Sequence, residues 1–158
     1  MKPTSRVSRS GFARRARRSA GFTLIETMIT VGIAGVLSGI AYPSLESQVT
    51  RARRSDALAS LMQAQLAQER HRANHRGYGD LAAIGLRPTS LSGHYAIEVA
   101  ASAVDGYELV ATATGRQAHD TTCRTLRLVV AGGSVVYASG PDAAASNAAA
   151  VNRKCWNQ

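Results

Sequence analysis

The stretch SAGFTLIETMITVGIAGVLSGIAYPS, residues 19–44, carries a carboxylate, Glu26, near the start of an otherwise apolar run. From Phe22 to Tyr42, Glu26 is the only charge. At ~1.5 Å of rise per residue, a helix over this run is long enough to cross a hydrocarbon layer of ~30 Å. An acid inside such a segment is costly and calls for a role. Two roles arise from the residues themselves. Thr23-Leu24-Ile25-Glu26 fits the S/T-x-x-E capping box, in which side chains satisfy the free amides of a helix start. Alternatively, Glu26 is half of an ion pair whose other half lies on another molecule, because the run supplies no cation of its own. A secretory signal peptide cut near Ala41 fits poorly, since a charge interrupts the apolar region and the helical pattern runs past that cut.

The charge around this run is one-sided. Lys2, Arg6, Arg9, Arg14, Arg15, Arg17 and Arg18 precede it with no acid among them. Of the formal +9, only +2 remains beyond Gly21, from 12 basic and 10 acidic residues. The high pI therefore reads as a targeting signal rather than a nucleic-acid footprint. The positive-inside rule places the N-terminus in the cytoplasm, against a weak opposing pull from Arg51, Arg53 and Arg54. The 158 residues leave room for one further domain. In an exported chain the widely spaced pair Cys123 and Cys155 reads as one disulfide. Such a bridge contributes roughly 3–4 kcal/mol in the loop-closure description.

Beyond Pro43, Leu45, Val49, Ala52, Leu58, Leu61, Met62, Ala64, Gln65 and Leu66 recur mostly at helical spacing, with charged and polar residues between them. The pattern predicts an amphipathic helix to about His75, continuous with the apolar one, ~75 Å long in total. Gly77 and Gly79 end it, and residues 77–93 form a loop. Period-two runs follow. Tyr95, Ile97 and Val99 share one strand face, as do Tyr107, Leu109, Ala111 and Ala113, and then Leu126, Leu128 and Val130, with Arg127 outward. Asp105-Gly106 and Gly132-Gly133 mark hairpin turns. Three or four antiparallel strands are expected, with one face free to pack on the helix. Residues 140–158 read as irregular, held near their end by Cys155 beside Trp156.

GFTLIE, Gly21 to Glu26, behind a basic leader and ahead of an apolar helix, resembles the class III signal of type IV pilins and pseudopilins. Cys123, Cys155 and Trp156 make the ending most similar to minor pilins of the PilE type. The resemblance implies an α+β pilin fold: a leader over 1–21, a transmembrane and assembly helix over 22–43, an amphipathic helix over 44–76, and a head over 77–158 with a disulfide-bounded region 123–155. It further implies a prepilin peptidase that cuts between Gly21 and Phe22 and methylates the new amine on Phe22. In a filament, Glu26 would pair with the terminal amine of a neighbour. Opposite charges ~4 Å apart at an effective dielectric near 20 attract by ~4 kcal/mol before desolvation is counted. Gly32, Gly35 and Gly39 thin one side of the helix, which reads either as ordinary membrane-helix glycine or as close helix packing in a filament core. Pro43 removes a backbone hydrogen bond, and pilins with a proline there unwind before it, which marks Gly35–Pro43 as extensible.

The implied partners are other pilin subunits, major and minor, the prepilin peptidase, an assembly platform in the inner membrane, and membrane lipid before assembly. The expected place is a single-pass inner-membrane protein with a periplasmic head, then an extracellular pilus. A type II secretion pseudopilin shares the same signal. A third alternative is an anchored periplasmic protein that never polymerises. A fourth is a DNA-receptor pilin, with Arg116, Arg124, Arg127, Arg153 and Lys154 as its contacts and scattered surface charge as the competing reading. The stem arginines, Arg51, Arg53 and Arg54, suit lipid headgroups or neighbouring subunits. No hydrolase, zinc-protease or phosphate-loop motif occurs, so a non-enzyme without cofactor is expected. His71 and His75 stand i, i+4, but no third ligand accompanies them, and no metal is expected.

Overall fold

The computed structural model describes residues 21–158, apart from the side chains of residues 40–44. The leader expected over 1–20 and the side chain of Pro43 lie outside the described residues. The chain divides at Ile40/Ala41 into two units. Helix α1, Leu24–Asn74, begins in the first and continues in the second.

In the first unit the helix start is capped by Thr23. Its Oγ1 accepts the Glu26 N–H at 3.3 Å, and its carbonyl accepts the Thr27 N–H at 3.1 Å. A carboxylate in this first turn also complements the helix dipole. No apolar side chain among the described residues here is covered. Phe22 is 80% exposed, and Leu24, Ile25, Met28, Ile29, Val31, Ile33, Val36 and Leu37 each keep at least 56% of their surface open. The hydroxyls are satisfied within the helix: Thr27 donates to Thr23 O, Thr30 to Thr27 O and Ser38 to Ala34 O. Among the described residues no helix is long and apolar enough to cross a membrane. The described side chains of this run stop at Gly39.

In the second unit α1 packs on a four-stranded antiparallel sheet of order β1-β2-β3-β4: β1 Tyr95–Ser102, β2 Gly106–Ala113, β3 Thr125–Ala131 and β4 Ser134–Gly140. The core joins Ala57, Leu61 and Ala64 of the helix to Tyr95, Ile97, Tyr107, Leu109, Ala111, Leu126, Leu128 and Val130. The strand faces are those the alternation predicts. The helix face differs in part. Gln68 completes the buried stripe, whereas Leu45, Val49, Met62 and Leu66 stay exposed. Gln68 is buried because it acts like a strand neighbour to the returning loop: its Nε2 donates to Gly79 O at 2.6 Å, and its Oε1 accepts the Gly79 N–H at 2.9 Å. Asp56 ties the loop before β1, accepting from Ser90 Oγ at 2.6 Å and from the Ser92 and His94 amides. Burial would raise the Asp56 carboxyl, but these three donors outweigh it and hold the group below its ordinary 3.8.

Both hairpins form. Gly132 and Gly133 have φ of +56° and +80°, the pair of positive angles a type I′ turn requires, and Ala131 pairs with Ser134 around them. In the first hairpin the loop is Val104-Asp105, because the Ala103 N–H donates to Gly106 O at 2.8 Å. Gly106 is thus the first residue of β2, and the need for glycine comes from crowding: a Cβ there would lie 2.2 Å from Val130 O.

The tail is more ordered than its composition suggests. Residues 115–119 make a 3₁₀ turn, and the segment expected to be irregular contains helix α2, Ala149–Cys155. Asn152 bonds both Tyr137 O and Ser139 Oγ, and Asn147 donates to Thr122 O at 2.8 Å. Buried Trp156 donates to Ala138 O at 3.0 Å and meets Tyr137 edge to face. The Cys123–Cys155 disulfide, with Cα atoms 5.5 Å apart, closes this end against the entry to β3.

Adjacent residues on α1 test which face is buried. Leu61→Ala removes a fully buried side chain and should lower unfolding free energy by ~2–5 kcal/mol. Met62→Ala, at a position 49% exposed, should cost under ~1 kcal/mol. Equal losses in denaturant titrations of the two variants would contradict the packing.

Candidate functional site

Two sets of residues stand out, one in each unit. In the first, Gly21 and Phe22 lie just ahead of the helix and Glu26 lies in its first turn, exposed. Of the polar side chains from Thr23 to Ser38, only the Glu26 carboxylate has no partner among the described residues. Thr23 caps the Glu26 amide, so the backbone half of the expected capping box is present. A Cβ added at Gly32, Gly35 or Gly39 would meet nothing within 4 Å, so these glycines present open backbone.

In the second unit the basic residues separate into two groups. Arg124 and Arg127 serve the fold. Arg124 Nε donates to Ala118 O at 3.1 Å, while Arg127 pairs with Glu108 at 3.0 Å across the outer sheet face and also donates to Ala143 O. Arg116, Arg153 and Lys154 are exposed. Chain folding brings Arg116 to the stem arginines, a meeting of residues more than 60 positions apart. Together Arg51, Arg53, Arg54, Arg116 and His119 line a cavity of about 1070 Å³, with Glu46 and Asp120 as its acids. A second cavity, about 530 Å³, joins Arg51 to Lys154. Arg153 lines neither.

The first cavity has a fixed floor. Arg54 makes a bidentate pair with Asp120, Nε to Oδ2 at 2.6 Å and Nη2 to Oδ1 at 2.9 Å, with side chains 14% and 6% exposed. Beside it, buried Gln117 donates to Thr50 O at 3.2 Å and to Tyr95 Oη at 3.1 Å. Burial, the largest influence, pushes the Tyr95 hydroxyl up to about 12, so it stays neutral within this network. Arg54 and Asp120 neutralise each other. Arg51, Arg53 and Arg116, which make no ion pair among the described residues, then face one carboxylate, Glu46. Neither Asp120 nor Gln117 was legible as a site residue, because their partners on the helix are some 66 and 67 residues away.

His71 and His75 stack with ring centroids 4.0 Å apart, and each Nδ1 faces a backbone carbonyl. Among the described residues no cluster of three metal-ligating side chains occurs.

Comparison with known proteins yields two family matches. Residues 43–127 match a family described as type IV minor pilin ComP, DNA uptake sequence receptor. Residues 16–42 match the prokaryotic N-terminal methylation motif. The type IV major pilin protein PilA of Myxococcus xanthus (strain DK1622) is 37% identical over 89 residues, covering 56% of this chain and 40% of its own length. A type IV major pilin protein PilE1 of Neisseria gonorrhoeae is 32% identical over 82 residues, covering half of each chain. The chain spans about half the length of these curated relatives. With the family match extending over more than half of its residues and the methylation motif lying across Gly21, Phe22 and Glu26, the chain belongs to the type IV minor pilins of the ComP family.

Proposed function

We propose that the chain is cut after Gly21, methylated on Phe22, and held in the inner membrane by its apolar helix until Glu26 docks it into a growing pilus. The observation that carries this reading is the Glu26 carboxylate, without a partner among the described residues, in a stretch whose described apolar side chains from Phe22 to Leu37 are all uncovered. Lipid can cover the apolar surface but offers no cation at that depth. A neighbouring subunit offers both, through its own helix and the amine on its Phe22. Removing an unpaired charge from hydrocarbon then favours docking in one register. Gly32, Gly35 and Gly39 suit close approach of that neighbour. The head would face the periplasm before assembly and the outside afterwards, and Gly35–Pro43 would be the stretch that extends.

A second reading, that the assembled subunit captures DNA, is favoured by the family description and by the exposed cations Arg116, Arg153 and Lys154. Arg124 and Arg127 are poor contacts, being engaged with Ala118 and with Glu108 and Ala143.

Glu26→Val should leave processing intact, with an intact mass starting at methylated Phe22, and should abolish recovery of the subunit in sheared pili. Normal incorporation of that variant would remove the ion pair from the account. For DNA, the full-length chain in neutral detergent should bind duplex with a steep salt dependence. Arg153→Gln with Lys154→Gln should reduce the log–log slope by about 1 for each lost phosphate contact. No binding at low salt would end the receptor reading.

A further inference from the structure

The cavity at the junction of α1 and the 3₁₀ turn has more order than a chance basic patch. Arg51 and Arg53 come from the helix, while Arg116 and His119 come from a segment about 65 residues later. The Arg54–Asp120 pair and Gln117 fix these two elements against each other. The result is one cleft lined by Arg51, Arg53, Arg116 and His119, with the hydroxyl-bearing Thr121 and Thr122 beside them. Guanidiniums along a cleft with a rigid base suit a phosphate, whose oxygens accept paired N–H donors. The cavity is also lined by Leu45 and Val49, which are 61% and 44% exposed. It therefore presents apolar surface next to its cations. That combination suits an amphiphile better than a free ion or a nucleic-acid backbone.

Position along the chain points the same way. Arg51 follows Tyr42, the last residue of the apolar run, by nine positions in one helix, or ~13 Å of rise. The headgroup layer adds ~6 Å to each side of the hydrocarbon core, and long arginine side chains reach back toward it. Leu45 and Val49 occupy the interval between.

We infer that this cavity holds the phosphate of an anionic phospholipid headgroup from the periplasmic leaflet while the subunit waits in the membrane. Arg51, Arg53 and Arg116 bind the phosphate, and Leu45 and Val49 lie along the start of the acyl chains. The headgroup holds the base of the head at the surface, and leaving the membrane for the filament releases it. Glu46, which also lines the cavity, disfavours a densely anionic ligand and so favours a singly charged headgroup over a polyphosphate chain. This inference rests on the membrane-inserted state proposed above.

The test uses the full-length chain purified in neutral detergent. It is titrated with dihexanoyl phosphatidylglycerol, dihexanoyl phosphatidylcholine, inorganic phosphate and a short DNA duplex, with bound ligand read by native mass spectrometry. Phosphatidylglycerol should bind as a one-to-one adduct, and Arg51→Gln with Arg116→Gln should weaken it ~10-fold or more. Arg76→Gln, at an exposed position lining neither cavity, should leave it unchanged. Equal binding of phosphatidylglycerol by the double variant would overturn the inference. So would equal affinity for phosphatidylcholine or inorganic phosphate, or displacement of the lipid by stoichiometric duplex. Because the readout is in detergent, it is separate from insertion itself: a wild-type chain that fails to fractionate with membranes sinks the membrane-inserted state, whatever the titration gives.

Discussion

A carboxylate without a partner among the described residues, set in a stretch of helix whose described apolar side chains are uncovered, is the constraint on which the rest of this molecule depends. Each hydroxyl from Thr23 to Ser38 is bonded to its own backbone, so this stretch demands nothing polar from its surroundings except at Glu26. Burying that charge alone is costly, and a cation beside it offsets much of the cost. An environment that covers the helix and also supplies the cation is therefore favoured over one that only covers it. The cap from Thr23 keeps the first turn formed, so Glu26 is presented at a fixed place on the helix.

The second unit solves a different problem on the same helix. Ala57, Leu61, Ala64 and Gln68 seat the sheet, and three polar ties then fix what the sheet leaves loose: Gln68 on Gly79, Asp56 on the loop before β1, and Arg54 on Asp120. The disulfide and the Trp156 anchor close the tail. With Arg54 held by Asp120, Arg51, Arg53 and Arg116 are the arginines of the same cavity that make no ion pair among the described residues. One internal ion pair thereby shapes the charge of the whole base of the head.

Much of this was legible from local chemistry. Period-two alternation placed Tyr95, Ile97, Leu109 and Leu128 inward, and Gly132-Gly133 announced a turn that needs two positive φ angles. GFTLIE announced the family, because the cap and the carboxylate sit within six residues of the stretch that the methylation motif spans. What escaped depends on partners distant in sequence. Gln68 reads as a solvated helix residue until Gly79 is placed against it. Gly106 reads as a turn glycine until Val130 O is placed 2.2 Å from its absent Cβ. The Ala-rich tail reads as irregular because Asn147 and Asn152 anchor it to carbonyls contributed by other segments. Arg124 and Arg127 read as free cations for the same reason.

The central claim is a contact between two copies of one kind of helix, and a distance reports it most directly. Pili would be assembled with ¹³C at the Glu26 side-chain carboxylate of this subunit and ¹⁵N at the terminal amines of the others, and examined by dipolar-recoupled solid-state NMR. The account predicts dephasing that corresponds to an ion pair at ~4 Å. A Glu26 carboxylate with no intermolecular ¹⁵N dephasing, in filaments that contain the subunit, would contradict it.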